Sequence, residues 1–180
     1  MPKLIYFDVY ARAEPIRIML NYAKIAFEDV RLTGAEHKEL KTTGAVFSQL
    51  PVWVTDDGKK YNQSHAILRA LGIEYGFYGS TFDERWASDM VLDTFEDLSG
   101  AGYMKSWWSP KPSEEDVNNL LTGTAKVYGI FEQHLAAHPD WNYIAGNKPS
   151  IGDFKIVASV WSVARNDNKR HPEINDALRA

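Results

Sequence analysis

The chain's pattern predicts an α/β unit followed by an all-helical one. Short β-rich segments alternate with helix-periodic ones through roughly the first 75 residues. A cluster of small residues, Gly76, Gly79, Ser80 and Thr81, then marks a linker, and beyond it apolar residues recur only at helical spacing. The expected domains are residues 1–76 and 82–180. With 180 residues, 44% of them apolar, the chain can fill two small cores, which excludes intrinsic disorder.

Residues 3–7, KLIYF, are short, apolar and β-rich, and predict the first strand. Ala13-Glu14-Pro15 follows, with proline where a first helical turn tolerates it, and Ile16, Met19, Leu20 and Ala23 then recur at helical spacing. Residues 27–32 read as a second strand, so the chain opens with a βαβ unit and a parallel pair. Gly34, Gly44 and many polar side chains make residues 33–48 a loop with at most one short helix. Residues 51–55 form a third strand, opened by a proline at a position strands accept. Asp56-Asp57-Gly58 turns the chain into residues 59–62 as its hairpin partner. Ser64 is expected to cap a helix striped by Ile67, Leu68 and Leu71 and ended by Gly72 or Gly76.

Past the linker, residues 84–105 keep Trp86, Met90, Val91, Phe95, Leu98 and Tyr103 in helical register. Ser113-Glu114-Glu115-Asp116 opens the next helix with acids in its first turn, and Pro139 stops it. Ser150-Ile151-Gly152-Asp153 resembles a capping box, with Asp153 in the place usually given to Glu or Gln. The apolar run 154–163 behind it predicts a buried helix.

Twenty Lys and Arg against 24 Asp and Glu leave a net charge of -4 with no block of one sign, which argues against a nucleic-acid surface. No apolar run approaches the roughly 18 residues of a membrane span, and MPKLIYFDVY enters fold-like sequence without an apolar signal core. The expectation is a cytoplasmic protein with no membrane partner. Zero cysteines exclude a disulfide scaffold, a thiolate zinc site and any mechanism in which the protein supplies its own sulfur. Thiol chemistry must therefore arrive with a ligand. Among the histidines, only His134 and His138 share an i, i+4 spacing, and no carboxylate stands at a useful distance from them, so no metal is expected.

Four places carry chemistry. Tyr6 ends the first strand, and ligands of open sheets gather at the carboxyl ends of strands, although a tyrosine there also reads as core. Arg12 precedes a helix start that prefers acids; a bound anion explains it, and so does an ion pair with Glu14 or Asp8. Gln63-Ser64 offers a hydroxyl and free N–H groups for a carboxylate, or simply an N-cap. Gln49-Leu50-Pro51 can present unpaired backbone groups to a peptide-like ligand, and a cis bond at Leu50-Pro51 is open.

Taken together, LIYFDVYARAEPIRIMLNYAKIAFEDV, SQLPVWVTDDGKKYNQSHAILRALGIEYGFYG, SDMVLDTFEDL and NKPSIGDFKIVASV stand in an order that resembles the cytosolic glutathione transferases, near their sigma, pi and mu group. The resemblance spans nearly the whole chain. It implies a thioredoxin-like N-terminal domain of β-α-β-α-β-β-α order, an all-helical C-terminal domain, and glutathione as co-substrate. By position, Tyr6 resembles the catalytic tyrosine, whose hydroxyl donates a hydrogen bond favouring the glutathione thiolate. Lowering a thiol pKa from about 8.5 to about 6.5 takes roughly 2.7 kcal/mol, within reach of one or two charge-assisted hydrogen bonds plus the local field. Arg12 resembles an arginine near the thiol. Gln63 and Ser64 match the pair holding the γ-glutamyl end, and Leu50, before Pro51, matches the residue whose backbone pairs with the cysteinyl unit. Lys41 and Gln49 fall near contacts to the glycine carboxylate, where His37 replaces the tryptophan of many relatives.

Asp97 matches an acid that reaches the ligand's ammonium group in the other subunit, which implies a two-fold homodimer. Phe47 resembles an aromatic plug into that partner and reads equally as core. Small hydrophobic electrophiles would rest on Phe7, Tyr103, Trp107 and Trp108, the tryptophans reading equally as helix packing. The chain stops at Ala180, short of helices that often wall this pocket, or carries a deletion before His171-Pro172-Glu173-Ile174; the expected pocket is more open. Glutathione-dependent isomerisation or peroxide reduction, and a non-catalytic binding or structural role, are the competing functions.

Overall fold

The computed structural model describes residues 1–42, 49–100, 109 and 111–165. Met1–Tyr78 forms one unit and Gly79–Ala180 a second. Strand alternation sets the first unit. In β1 (Lys3–Phe7), Leu4 and Tyr6 are buried while Lys3 is exposed, as the pleat requires. In α1 (Glu14–Tyr22), Pro15 occupies the first turn, and Ile16, Met19 and Leu20 bury one face. β2 (Glu28–Leu32) pairs parallel to β1, from Lys3 opposite Glu28 to Phe7 opposite Leu32.

The polar stretch after β2 contains a nine-residue helix, α2 (Gly34–Thr42). A reciprocal cap starts it. Thr33 N–H and Oγ1 each donate to Glu36 Oε2 at 2.7 Å, and Glu36 N–H donates back to Thr33 Oγ1 at 3.3 Å. The peptide bond Leu50-Pro51 is cis. β3 (Val52–Val54) and β4 (Lys60–Asn62) then form an antiparallel hairpin. Gly58, at φ 82°, supplies the left-handed residue that its turn demands. β3 also runs antiparallel to β1, giving a four-stranded sheet in the order β2-β1-β3-β4.

The last helix of this unit, α3 (Ser64–Tyr75), buries Ile67, Leu68 and Leu71. Its start corrects the expectation that Ser64 is the cap. Gln63 holds the capping position at φ 70° and makes no side-chain cap bond, so Ser64 is already helical. The positive φ turns the chain one residue earlier than the preference for serine caps suggested. Gly76, not Gly72, ends the helix in the left-handed conformation, its N–H donating to the Gly72 carbonyl.

In the second unit α4 (Phe82–Gly100) begins two residues before the expected start. Glu84 explains this, because its Oε2 accepts from Ser80 N–H at 2.6 Å, Ser80 Oγ at 2.8 Å and Thr81 N–H at 3.0 Å. Ala87, Val91, Phe95 and Leu98 form the buried stripe of α4. Trp86 falls beside that stripe and is 51% exposed, against its expected place in the apolar set. α5 (Glu114–Ala137) opens on a full capping box between Ser113 and Asp116 and contributes Val127 and Phe131, whose ring lies 5.5 Å from that of Phe95. α6 (Ile151–Arg165) packs against α4 with Gly152 at the approach, where an added Cβ would sit 3.4 Å from Ser88 Cα of α4 and 2.9 Å from Ile144 Cγ2 in the loop ahead of α6. α6 is not buried all round: Ile151, Phe154 and Ala158 are buried, but Val157 and Val160 are 48% and 44% exposed. A run whose apolar residues fall on every side of the helix could not reveal which face meets a neighbour.

His138 stacks on Trp141 and His134 meets that ring edge-on, and the described residues contain no group of three or more His, Asp or Glu side chains that could hold a metal ion. Burial, then the neighbouring His138, hold the His134 imidazole below its ordinary value, opposed by its bond to the Ile144 carbonyl. Its folded pKa thus lies below the unfolded one, so its contribution to stability is complete above the unfolded value of about 6.5 and is lost as pH falls through the folded value. The urea midpoint of the chain is expected to drop on acidification below about pH 6.5, and to drop less in His134→Gln.

No helix among the described residues is long and apolar enough to cross a membrane.

Candidate active site

The sheet gathers the candidate residues of the first unit at one end. β1 finishes there with Tyr6 and Phe7; β2, parallel to it, finishes there and delivers α2. β3 starts there, since Val52 pairs with Ile5 and Leu50-Pro51 stands just ahead. β4 ends there as well, because Asn62 pairs with Val52 and Gln63-Ser64 comes next. The register is confirmed by a side-chain bond: Gln63 Nε2 donates to Gln49 Oε1 at 2.9 Å. Three stretches far apart in sequence thereby meet at the carboxyl end of a central strand, the usual location of ligands on open sheets.

Tyr6 is 7% exposed, its ring edge-on to Phe7 with centroids 5.5 Å apart. Its hydroxyl accepts a hydrogen bond from the Arg12 backbone N–H. Burial pushes the phenol above its ordinary value, outweighing that bond and the charges of Arg12 and Arg17, which favour ionisation. At neutral pH the group keeps its proton and can donate it into a hydrogen bond.

The other candidates fall as follows. Arg12 is exposed in the turn before α1; Glu14 and Asp8, the carboxylates considered for it, pair with Arg17 and Arg31. Pro51 and Ser64 are buried, Leu50 is half-buried, and Gln49 and Gln63 are exposed. The His37 ring meets Phe7 edge-on at 4.8 Å, and its buried Nε2 has no hydrogen-bond partner among the described residues. Lys41 is exposed in the last turn of α2. Asp97 is exposed on α4, in the second unit. Trp107, Tyr103, Trp108, Phe47 and His171 lie outside the described residues.

Sequence reasoning missed Arg17. It sits between Ile16 and Met19 in the buried face of α1 and is itself 3% exposed, paired with Glu14 and Asp29. The readable signal was Glu14-x-x-Arg17, an i, i+3 pair inside an apolar stripe. Thr33-x-x-Glu36, which starts α2, was likewise legible as a capping box.

Two family descriptions match this arrangement in order: the glutathione S-transferase N-terminal domain over residues 2–71, and the glutathione S-transferase C-terminal domain over residues 91–171. The chain belongs to the glutathione S-transferase family. That makes it a transferase with glutathione as co-substrate, on a thioredoxin-like domain joined to an all-helical one. Among its relatives, glutathione S-transferase A4 of Mus musculus is 31% identical over 165 residues, covering 90% of this chain and 73% of that one. A glutathione S-transferase of the hookworm Necator americanus, described as monomeric Na-GST-3, superposes with a TM-score of 0.81 at 27% identity, over 99% of this chain and 89% of its own. Prostaglandin synthase D of Nilaparvata lugens superposes with a TM-score of 0.76 at 28% identity, over 99% and 89%. The mouse and hookworm relatives bear an alpha-type and a nematode name, where the motifs resembled sigma, pi and mu members.

Proposed function

We propose that the chain conjugates the glutathione thiolate to small hydrophobic electrophiles, with Tyr6 as the donor that stabilises the thiolate. The observation that carries this reading is the buried Tyr6 hydroxyl, protonated at neutral pH and accepting from Arg12 N–H at the carboxyl end of β1. A protonated phenol that already accepts one bond donates its hydrogen more strongly. Because the chain holds no cysteine, the nucleophilic sulfur is the ligand's. The thiolate attacks an electrophilic carbon and displaces its leaving group, while the site supplies proximity and orientation. Tyr6 is neither nucleophile nor base.

In this reading Arg12 adds positive charge beside the thiol, and Gln63 with Ser64 holds the γ-glutamyl carboxylate at the start of α3. The Leu50 backbone, ahead of Pro51, pairs with the cysteinyl unit, and His37, Lys41 and Gln49 surround the glycine carboxylate. Phe7 and Trp107 serve the electrophile. Asp97 serves the ligand ammonium of a second subunit, which makes the working form a two-fold homodimer, although the hookworm relative is described as monomeric. The cytoplasm is its proposed location, and the sigma, pi or mu class rests on the sequence motifs alone.

Assay of the purified chain with glutathione and an activated aryl halide tests the activity directly. Retention on glutathione resin without turnover would instead leave a binding protein. Ser64→Ala is expected to raise the glutathione Kd roughly tenfold, the loss of about one hydrogen bond to a charged group, with kcat little changed; calorimetric titration reads the first and saturation kinetics the second. Glutathione-dependent isomerisation is the second reading, favoured by the likeness to the Nilaparvata lugens synthase, and product analysis with an isomerisable substrate separates the two.

A further inference from the structure

Arg17 has no part in the reaction just described, yet its guanidinium bonds two carbonyls at the exit of the strand that carries Tyr6. Its guanidinium is planar, permanently charged and here buried. Nε donates to Asp29 Oδ1 at 3.0 Å, Nη1 to the Val9 carbonyl and to Glu14 Oε2 at 3.2 Å each, and Nη2 to the Phe7 carbonyl at 3.2 Å. Phe7 and Val9 bracket Asp8 in the loop that leaves β1 directly after Tyr6. Asp29 also accepts from Arg31 Nε at 2.8 Å, and Arg31 Nη1 donates to Asp8 Oδ1 at 2.6 Å. The main chain of the loop is thus held from inside by Arg17, and its one acidic side chain from outside by Arg31. The guanidinium carbon of Arg17 lies 5.8 Å from the centroid of the Tyr6 ring.

A buried ion pair is a poor way to gain stability, because taking its charges out of water offsets most of their attraction. Glu14 shows that penalty: burial, opposed by Arg17, pushes its carboxyl above the ordinary range. A loop needing only an anchor would be served as well by an apolar side chain, but an apolar side chain bonds no carbonyl and carries no field.

We propose that Arg17 is a positioning residue for Tyr6: it holds the carbonyls of Phe7 and Val9 so that the Arg12 backbone N–H meets the tyrosine hydroxyl, and it sets beside the ring a positive charge whose strength Glu14 and Asp29 moderate. The catalytic consequence rests on Tyr6 being the thiolate-stabilising donor; the positioning itself does not. The charged groups acting on the hydroxyl are Arg12 and Arg17, and those acting on Arg17 are Glu14 and Asp29.

The test uses two variants of the full chain that alter this charge in opposite directions. Arg17→Gln removes the positive charge, and Glu14→Gln removes a carboxylate that moderates it while keeping an acceptor for Arg17. Ultraviolet titration of tyrosinate, assigned to Tyr6 by difference from Tyr6→Phe, reads the ionisation without any turnover. Arg17→Gln is expected to make Tyr6 ionise at higher pH and Glu14→Gln at lower pH, each changing the ionisation constant at least about threefold. The thiol of bound glutathione is expected to follow in the same directions. Shifts of one sign in both variants, or none in either, would reduce Arg17 to a packing role and overturn the proposal. If circular dichroism shows Arg17→Gln unfolded, Glu14→Gln decides alone: a lower Tyr6 ionisation supports the proposal, and an unchanged or higher one overturns it. Opposite shifts in a protein whose Tyr6→Phe variant keeps full turnover would leave Arg17 in place and sink the catalytic reading of Tyr6 instead.

Discussion

Tyr6→Phe is expected to lower kcat/KM for conjugation of glutathione to an activated aryl halide by about a hundredfold or more, the usual cost of removing one donor aimed at a developing or resident anion in a buried site. The substitution removes a single oxygen from a ring that is 7% exposed, so packing against Phe7 and the strand is retained. The loss should fall on the chemistry, not on binding. Glutathione Kd is expected to stay within a few-fold of the original, because the proposed reading assigns the γ-glutamyl and glycine ends to other residues. Ultraviolet absorbance of the bound thiolate as a function of pH supplies the mechanistic readout. In the original chain the sulfur should ionise well below the roughly 8.5 of a free thiol, and in Tyr6→Phe it should return toward that value. Equal turnover, or an unshifted sulfur in both proteins, would take Tyr6 out of the mechanism.

The second large effect is on stability. Asp153→Ala is expected to cost about 3 kcal/mol, because one carboxylate serves two separate pieces of chain. Its Oδ2 accepts from Ser150 N–H and Ser150 Oγ, both at 2.8 Å, and so caps α6. Its Oδ1 accepts from the Ile144 N–H at 3.0 Å, and so fastens the loop ahead of that helix. Ile144 is 2% exposed, so its abandoned N–H would have no water to turn to. Asp153→Asn keeps one acceptor oxygen and should recover about half of the loss. Urea unfolding followed by circular dichroism measures both, and an Asp153→Ala chain as stable as the original would show that neither bond matters.

The elements themselves were legible because each is written in local chemistry. β1 is a short apolar, β-rich run, Pro15 marks a first helical turn, Asp57-Gly58 marks a hairpin, and Ser113 with Asp116 marks a cap. The absence of cysteine settled, without any structure, that the protein cannot supply its own sulfur. The order of the motifs pointed to the family for a related reason: a residue such as Ser64 or Pro51 is informative alone only as a cap or a strand start, and becomes a candidate ligand contact only by its company.

Tertiary structure decided what depends on neighbours distant in sequence. That Gln63 and not Ser64 occupies the turn before α3 follows from a positive φ that no side-chain preference announces. That α6 buries only one face, and that Trp86 points away from the core of its helix, depends on which helices come alongside. Above all, the environment of the Tyr6 hydroxyl is a tertiary fact. Its burial, the Arg12 N–H upon it and the buried Arg17 nearby come from a loop and a helix that fold back over the strand end. Propensity acts over a few residues of chain, whereas the desolvation and charge that determine where a proton sits act through space.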